Sequence, residues 1–240
     1  MRLKIVCRLD NEVMPLDYRS KIVMILKKGL AKKHPDIFKT LYETNKQKDF
    51  TFAVYFKGAK FTNKEIIVSG RELIINFSTG NAQLAIPFYN AFTSLKWQEI
   101  KISDGCHLQI QKVDVMREKE IKDESVIFKT LSPIVCRDHD QETYKDWFYD
   151  YSDADFEKLL KRNFYSKLQD RYGDFLSEDI EKLSIVPIDM KKTVVLHYDL
   201  YVACSIGILE IKAPKYMLDY IASCGLGSVT GMGFGMLEQA

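Results

Sequence analysis

The alternation of apolar and polar residues in "RLKIVCRL" (2–9) predicts a strand that puts Leu3, Ile5 and Cys7 on one face. The period then lengthens. Ile22, Met24, Ile25 and Leu30 in "YRSKIVMILKKGLAKK" follow helical spacing, and "HPDIFKTLYET" restarts a short second helix with Pro35 in its first turn, where a missing N–H is tolerated. "FTFAVYF" (50–56) reads as a strand, "KEIIVSGRELIINFST" as two strands turning at Ser69-Gly70, "AQLAIPFYNAFTSLK" as a helix despite Pro87, and "HLQIQKVDVMRE" as a further strand. Residues 1 to 120 therefore read β-α-β-β-α-β.

The second half repeats the pattern. "SVIFKTLSPIVC" predicts a strand, "DADFEKLLKRNFYSKLQDRYG" a charged amphipathic helix, "KLSIVPIDM" and "TVVLHYDLYVACSIGILEI" strands, "PKYMLDYIASC" a helix and "GMGFGMLE" the closing strand. Two such units in succession predict an α+β fold of two tandem ferredoxin-like (RRM-like) domains, each an antiparallel sheet with helices on one face. The division expected is residues 1–122 and 123–240.

Composition narrows the class. The 240 residues carry 35 Lys and Arg against 33 Asp and Glu, so net charge alone points to no polyanion and any such partner must be recognised by local clustering. Cys7, Cys106, Cys136, Cys204 and Cys224 form no C-x-x-C and mostly sit in apolar runs, which suggests reduced, buried thiols. Charges interrupt the apolar residues of "MRLKIVCRLD", and no run approaches a membrane span, so a soluble, cytoplasmic protein without membrane contact is expected.

Two local features stand out. "GLGSVTGMGFGMLE" (225–238) holds Gly225, Gly227, Gly231, Gly233 and Gly235, yet the spacing misses G-x-G-x-x-G, no Lys-Ser or Lys-Thr follows, and the loop runs from helix to strand, the reverse of a phosphate cradle. More glycines than a tight turn needs suggest backbone N–H groups open to an RNA backbone. From Arg19 to Lys33 the chain has Arg19, Lys21, Lys27, Lys28, Lys32 and Lys33 and no carboxylate; Lys21, Lys28 and Lys32 share one helical face, as phosphate contacts would.

The G-L-G-x-x-x-G-x-G-F-G loop before the last strand resembles that of the CRISPR repeat-processing endoribonucleases, the Cas six family. "FTFAVYF" after a short helix, "NFSTG" before the second helix and "KTLSPIVCRD" opening the second half are similar as well, so the likeness spans the chain. The resemblance implies cleavage of CRISPR precursor RNA within its repeats, with no metal or cofactor. It also implies repeat RNA and other effector-complex subunits as partners, and a monomer or weak homodimer.

The chemistry open to such a protein follows from its residue types. The carboxylates are dispersed along the chain, which suits metal-independent cleavage: a base takes the 2′-hydroxyl proton, the 2′-oxygen attacks phosphorus, and an acid protonates the departing 5′-oxygen. Histidine suits either role at neutral pH. His107 and His197 lie in strand segments and read as structural. His139 belongs to a polar, aromatic insertion and is a candidate RNA contact, while His34 stands between the two first-half helices. In the resembled family a Leu-His pair ends the short helix, where this chain has Leu41-Tyr42; Lys48 matches the family lysine, and Lys27 stands at the first-helix tyrosine position. Either His34 is the base, or RNA is oriented among Lys27, Lys48 and Tyr42 without a histidine. A catalytically inactive repeat-binding subunit and a general RNA-recognition protein are the alternatives.

Overall fold

The computed structural model describes residues 1–44, 48–140 and 142–240. The first half contains, in chain order, β1 (Arg2–Leu9), β2 (Val13–Pro15), α1 (Tyr18–Lys33), α2 (Pro35–Tyr42), β3 (Phe50–Phe56), β4 (Ala59–Phe61), β5 (Glu65–Val68), β6 (Glu72–Thr79), α3 (Ala82–Thr93), β7 (Glu99–Ser103) and β8 (Cys106–Met116). The main sheet has the order β3-β6-β1-β8-β7, with β1 antiparallel to both β6 and β8. Leu3, Ile5, Cys7 and Leu9 of β1 are buried, and they share one core with Ile22, Ile25, Leu26 and Leu30 of α1 and Phe88 and Phe92 of α3. Gly29 lies where the two helices meet: a methyl there would stand 2.8 Å from the Ala91 carbonyl oxygen, so glycine permits the close approach.

The second half contains β9 (Ser125–Thr130), β10 (Cys136–His139), β11 (Asp146–Tyr149), α4 (Phe156–Tyr172), α5 (Leu176–Lys182), β12 (Ser184–His197), β13 (Leu200–Lys212), α6 (Lys215–Cys224) and β14 (Leu237–Gln239). Its sheet order is β12-β13-β9-β14. In each half the first and third strands of the β-α-β-β-α-β unit occupy the centre, the tandem ferredoxin-like arrangement.

Several elements differ from the sequence expectation. Ser69-Gly70 is no hairpin, because β5 pairs with β2 and β4 in a small separate sheet and the turn passes the chain to β6. β7 was not read from periodicity, although Asp104-Gly105 marks its turn into β8, with Gly105 at φ +71°. "SVIFKTLSPIVC" breaks after Thr130, and Cys136 begins a separate hairpin, β10–β11. β12 runs through Met190 to His197, with a bulge between Pro187 and Asp189; the turn falls at Tyr198-Asp199, both left-handed at φ +46° and +61°. β9 supports β13 only over Ile208–Lys212, so most of the β12–β13 ribbon reaches beyond the sheet. Of "GMGFGMLE" only Leu237 onward is strand, the rest being the end of a 3-10 turn (Thr230–Met232) and a mostly buried loop.

That loop fills the seam between the halves. Thr51 Oγ1 donates to the Phe234 carbonyl at 2.8 Å, and Arg19 Nε donates to the Gly233 carbonyl at 3.1 Å. Nearby, Asp49 accepts from Arg171 and from Tyr220 Oη, both at 2.6 Å, and Arg2 donates to the carbonyls of Ala222 (2.8 Å) and Leu237 (2.6 Å). The glycines expected to open backbone to RNA meet protein instead. A methyl on Gly233, at φ +86°, would come within 2.5 Å of the Phe52 ring, and one on Gly227 within 2.5 Å of the Val135 carbonyl oxygen. Tight packing of the loop, onto the first half at Gly233 and onto the second half's own chain at Gly227, thus accounts for those two glycines.

Gly233→Ala is expected to destabilise the protein by about 2 kcal/mol or more, through a strained backbone and a displaced Phe52. For a chain of this size that lowers the melting temperature by roughly 4–8 °C. Gly58→Ala is the control: Gly58 is also left-handed (φ +64°), but nothing lies within 4 Å of its added methyl, so its loss is expected to be smaller. Equal melting temperatures for the two variants would show that loop packing contributes little.

Candidate functional site

The basic first helix ends at His34, whose N–H still bonds the Leu30 carbonyl at 2.7 Å while its own carbonyl accepts from Phe38 at 3.0 Å to start α2. With φ −142° at His34 the chain turns, and α2 brings Tyr42 back beside α1. Lys27 Nζ stands 4.9 Å and Lys48 Nζ 5.4 Å from the centre of the Tyr42 ring, with the Phe38 ring 5.5 Å away. Two ammonium groups therefore share one aromatic ring. Burial, reinforced by Tyr198, pushes the Tyr42 phenol well above its ordinary pKa. Burial, reinforced by Lys27, lowers that of the Lys48 ammonium. Among the described residues the lysines in ion pairs are others; Lys21, Lys27, Lys28, Lys32, Lys33 and Lys48 have no carboxylate partner.

The opposite wall comes from the second half. A methyl on Gly231 would stand 2.8 Å from Lys48 Cδ, so the loop lies directly against this lysine. Three residues on, Phe234 is covered on one side by the Arg19 guanidinium, 4.7 Å from its centre, and meets His197 edge-on at 5.1 Å. Arg19 is only 6% exposed and also stacks on Tyr18 at 4.6 Å. His197 Nδ1 lies 3.7 Å from Asp17 Oδ1. Tyr42 Oη, Asp17 Oδ1 and His197 Nδ1 are buried with no hydrogen-bond partner. A dry, unpaired polar atom costs about 1–3 kcal/mol, so unpaired atoms at Tyr42 and at the Asp17–His197 pair suit a site that a polar ligand completes.

The structure thus brings Lys27, Tyr42, Lys48 and Gly231 together. His34 is turned elsewhere, its Nε2 3.2 Å from Asn90 Nδ2 of α3. Lys28 and Lys32 are exposed along α1, with Lys32 Nζ 3.4 Å from the Ser94 carbonyl, and Lys21 is half-buried. Arg19, grouped with them in the sequence, is buried and structural. His139 pairs with Asp146 at 2.8 Å on the β10–β11 hairpin, and His107 with Asp10 at 2.8 Å. Gly225 and Gly235 close on each other, a methyl on Gly225 standing 2.8 Å from the Gly235 oxygen. Sequence reasoning missed Asp17, His197 and Tyr198. The polar His-Tyr-Asp triplet inside an apolar run was the available sign of a hairpin tip. Among the described residues no three His, Cys, Asp or Glu side chains cluster as a metal site, and no helix is long and apolar enough to cross a membrane.

Comparison with known proteins agrees with this architecture. The family model for CRISPR associated protein Cas6, C-terminal, matches residues 116–239. A CRISPR-associated endoribonuclease-like protein, Cas6nc, of Pyrococcus horikoshii is 23% identical over 95% of this chain and 94% of its own. The structure of the product of a Cas6-related gene from Pyrococcus furiosus superimposes with a TM-score of 0.87 at 24% identity, covering 100% of this chain and 98% of the other. That of an RAMP protein binding different RNA substrates gives 0.86 at 20% identity, covering 100% and 99%. With the family model matching more than half of its length, the chain belongs to the CRISPR-associated Cas6 family.

Proposed function

We propose that this protein is an endoribonuclease that cuts CRISPR precursor RNA within its repeats, without a metal, leaving a 2′,3′-cyclic phosphate and a 5′-hydroxyl. The observation that carries the proposal is the pair of lysines on one tyrosine ring, unopposed by carboxylate and beside a buried hydroxyl with no partner. A phosphodiester placed there relieves the repulsion between Lys27 and Lys48 and accepts the Tyr42 hydrogen bond. Tyr42 stays protonated at neutral pH and donates to a non-bridging oxygen. Lys27 offsets charge building on phosphorus, and Lys48, whose hold on its proton is weakened, donates to the departing 5′-oxygen. His34, bonded to Asn90 of α3, holds the α1–α2 break and takes no part in the step itself.

The RNA strand is proposed to run along Lys21, Lys28 and Lys32 and past Gly231 of the loop, with His139 a more distant contact. The remaining loop glycines, Gly225, Gly227, Gly233 and Gly235, serve the seam. A division at residues 122/123 leaves the lysine and tyrosine wall in one domain and the loop in the other. The printed descriptions of the relatives, endoribonuclease-like in one case and binding different RNA substrates in another, support an RNA ligand. We place the protein in the cytoplasm, as a monomer or weak dimer alongside other CRISPR effector subunits. A second reading, repeat binding without cleavage, is favoured by the absence of a histidine from the Lys27–Tyr42–Lys48 cluster. Incubation with repeat RNA in EDTA separates the two: one specific cut supports the nuclease, and tight binding with intact RNA supports the binder.

Under single-turnover conditions Tyr42→Phe and Lys48→Ala are expected to slow cleavage by about 10²- to 10³-fold each. His34→Ala is expected to lose about 1 kcal/mol of stability and little rate at a temperature where it stays folded. A loss of rate as large as that of Lys48→Ala would make His34 the base after all.

Salt tests the strand path. Lys28→Ala combined with Lys32→Ala should flatten the slope of log affinity against log salt by roughly one to two units, about one per lost phosphate contact. An unchanged slope places the RNA elsewhere.

A further inference from the structure

The β12–β13 ribbon carries its tip from the second half onto the first. At that tip His197 is held on three sides, by Phe234 edge-on at 5.1 Å, by Tyr198 at 4.6 Å, and by Asp17 next to its Nδ1. Only 12% of the His197 side chain is exposed, against 50% for Tyr198. Asp17 stands at the N-cap position of α1, where its side chain makes no capping hydrogen bond, leaving the carboxylate to face His197. The Nδ1 and Oδ1 atoms face each other at 3.7 Å and neither has another partner. Hydrogen bonds of catalytic pairs are commonly long before substrate binds and shorten when it does. A carboxylate beside Nδ1 selects the tautomer with its proton there, leaving the lone pair on Nε2.

This dyad borders the lysine and tyrosine wall. Tyr198, next in the chain to His197, is the tyrosine that acts electrostatically on Tyr42. Gly231 touches Lys48 and Phe234 touches His197, and those two loop residues are three apart, hence within about 11 Å of each other. Resting on the cleavage function above, we propose that His197, oriented by Asp17, is the general base of this pocket.

The Nε2 lone pair takes the 2′-hydroxyl proton while the 2′-oxygen bonds to phosphorus; the bond from phosphorus to the 5′-oxygen breaks, and that oxygen takes a proton from Lys48. The charged and titratable groups facing His197 are Asp17 and Arg19 at the start of α1 and Tyr198 on its own ribbon; the glycine loop adds only the Phe234 ring. Burial lowers the imidazole pKa, Asp17 opposes this and Arg19 adds to it, so the ring is neutral and able to accept a proton at pH 7. The rate should rise with pH through the His197 pKa and fall again where Lys48 loses its proton.

The test uses the full chain and an RNA carrying one repeat of a CRISPR array from the same genome, in EDTA. His197→Ala and His197→Gln are expected to lower the single-turnover rate by about 10²- to 10⁴-fold with repeat affinity within about threefold of wild type, and added imidazole should partly restore His197→Ala. Asp17→Asn should move the acid limb of the pH–rate profile to lower pH, because the carboxylate that raises the His197 pKa is gone; a purely structural defect leaves that limb in place. If the His197 variants do not fold, the wild-type His197 ring resonance decides. It should shift when a repeat RNA with a 2′-deoxy sugar at the cut site is bound at saturation. Wild-type cleavage by both variants, an unmoved acid limb, or an unmoved ring resonance would each overturn the assignment while leaving the nuclease function intact. A wild-type protein that binds the repeat and never cuts it overturns both.

Discussion

Two backbone carbonyls of the glycine loop, those of Gly233 and Phe234, face the first half of the molecule and are bonded there by Arg19 and Thr51. Everything at the candidate site depends on that contact, because one wall is built from α1, α2 and the start of β3 and the other from the loop and the β12–β13 ribbon. A buried guanidinium is tolerable only with an acceptor and good packing, and Arg19 has both, between the Tyr18 and Phe234 rings. Glycine at 233 follows from this, since Phe52 fills the space where a side chain would begin. The glycines thus follow from a loop that packs on itself, on Val135 and on Phe52 with no room for side chains.

Once the walls are joined, the electrostatics are one-sided. Lysines elsewhere, such as Lys101 with Asp104 and Lys192 with Asp150, are neutralised by carboxylates a few ångströms away. Around Tyr42 no carboxylate among the described residues does this for Lys27 or Lys48, and burial of Lys48 makes its charge harder to sustain. Such an arrangement costs stability in the free protein and is relieved by an anion, the usual signature of a binding or catalytic pocket. Near-zero net charge for the whole chain hides it, because the excess is local.

Part of the site was legible in the sequence. Lys27, Tyr42 and Lys48 were found by resemblance to a family motif, and they do meet around one ring. His34 was singled out because it lies close to them along the chain, but a helix break can aim a side chain either way, and packing against α3 turned it to Asn90. His197 read as a packing residue inside a long strand. It stands instead at the mouth of a tight turn, and the Tyr198-Asp199 turn lacked the glycine that ordinarily announces one.

The order of the main strands and helices and the fold class followed from period alone, because the alternation in β1 and the helical spacing in α1 are local consequences of burying one face. The paired arrangement of two β-α-β-β-α-β units was equally readable from their repetition. The small β2-β5-β4 sheet was not, since short strands carry too few residues to show a period. Nor was the meeting of Asp17 with His197, or of Gly231 with Lys48. Those contacts join residues at opposite ends of the chain, and their proximity is set by how the two halves dock, a property that no short stretch of sequence encodes.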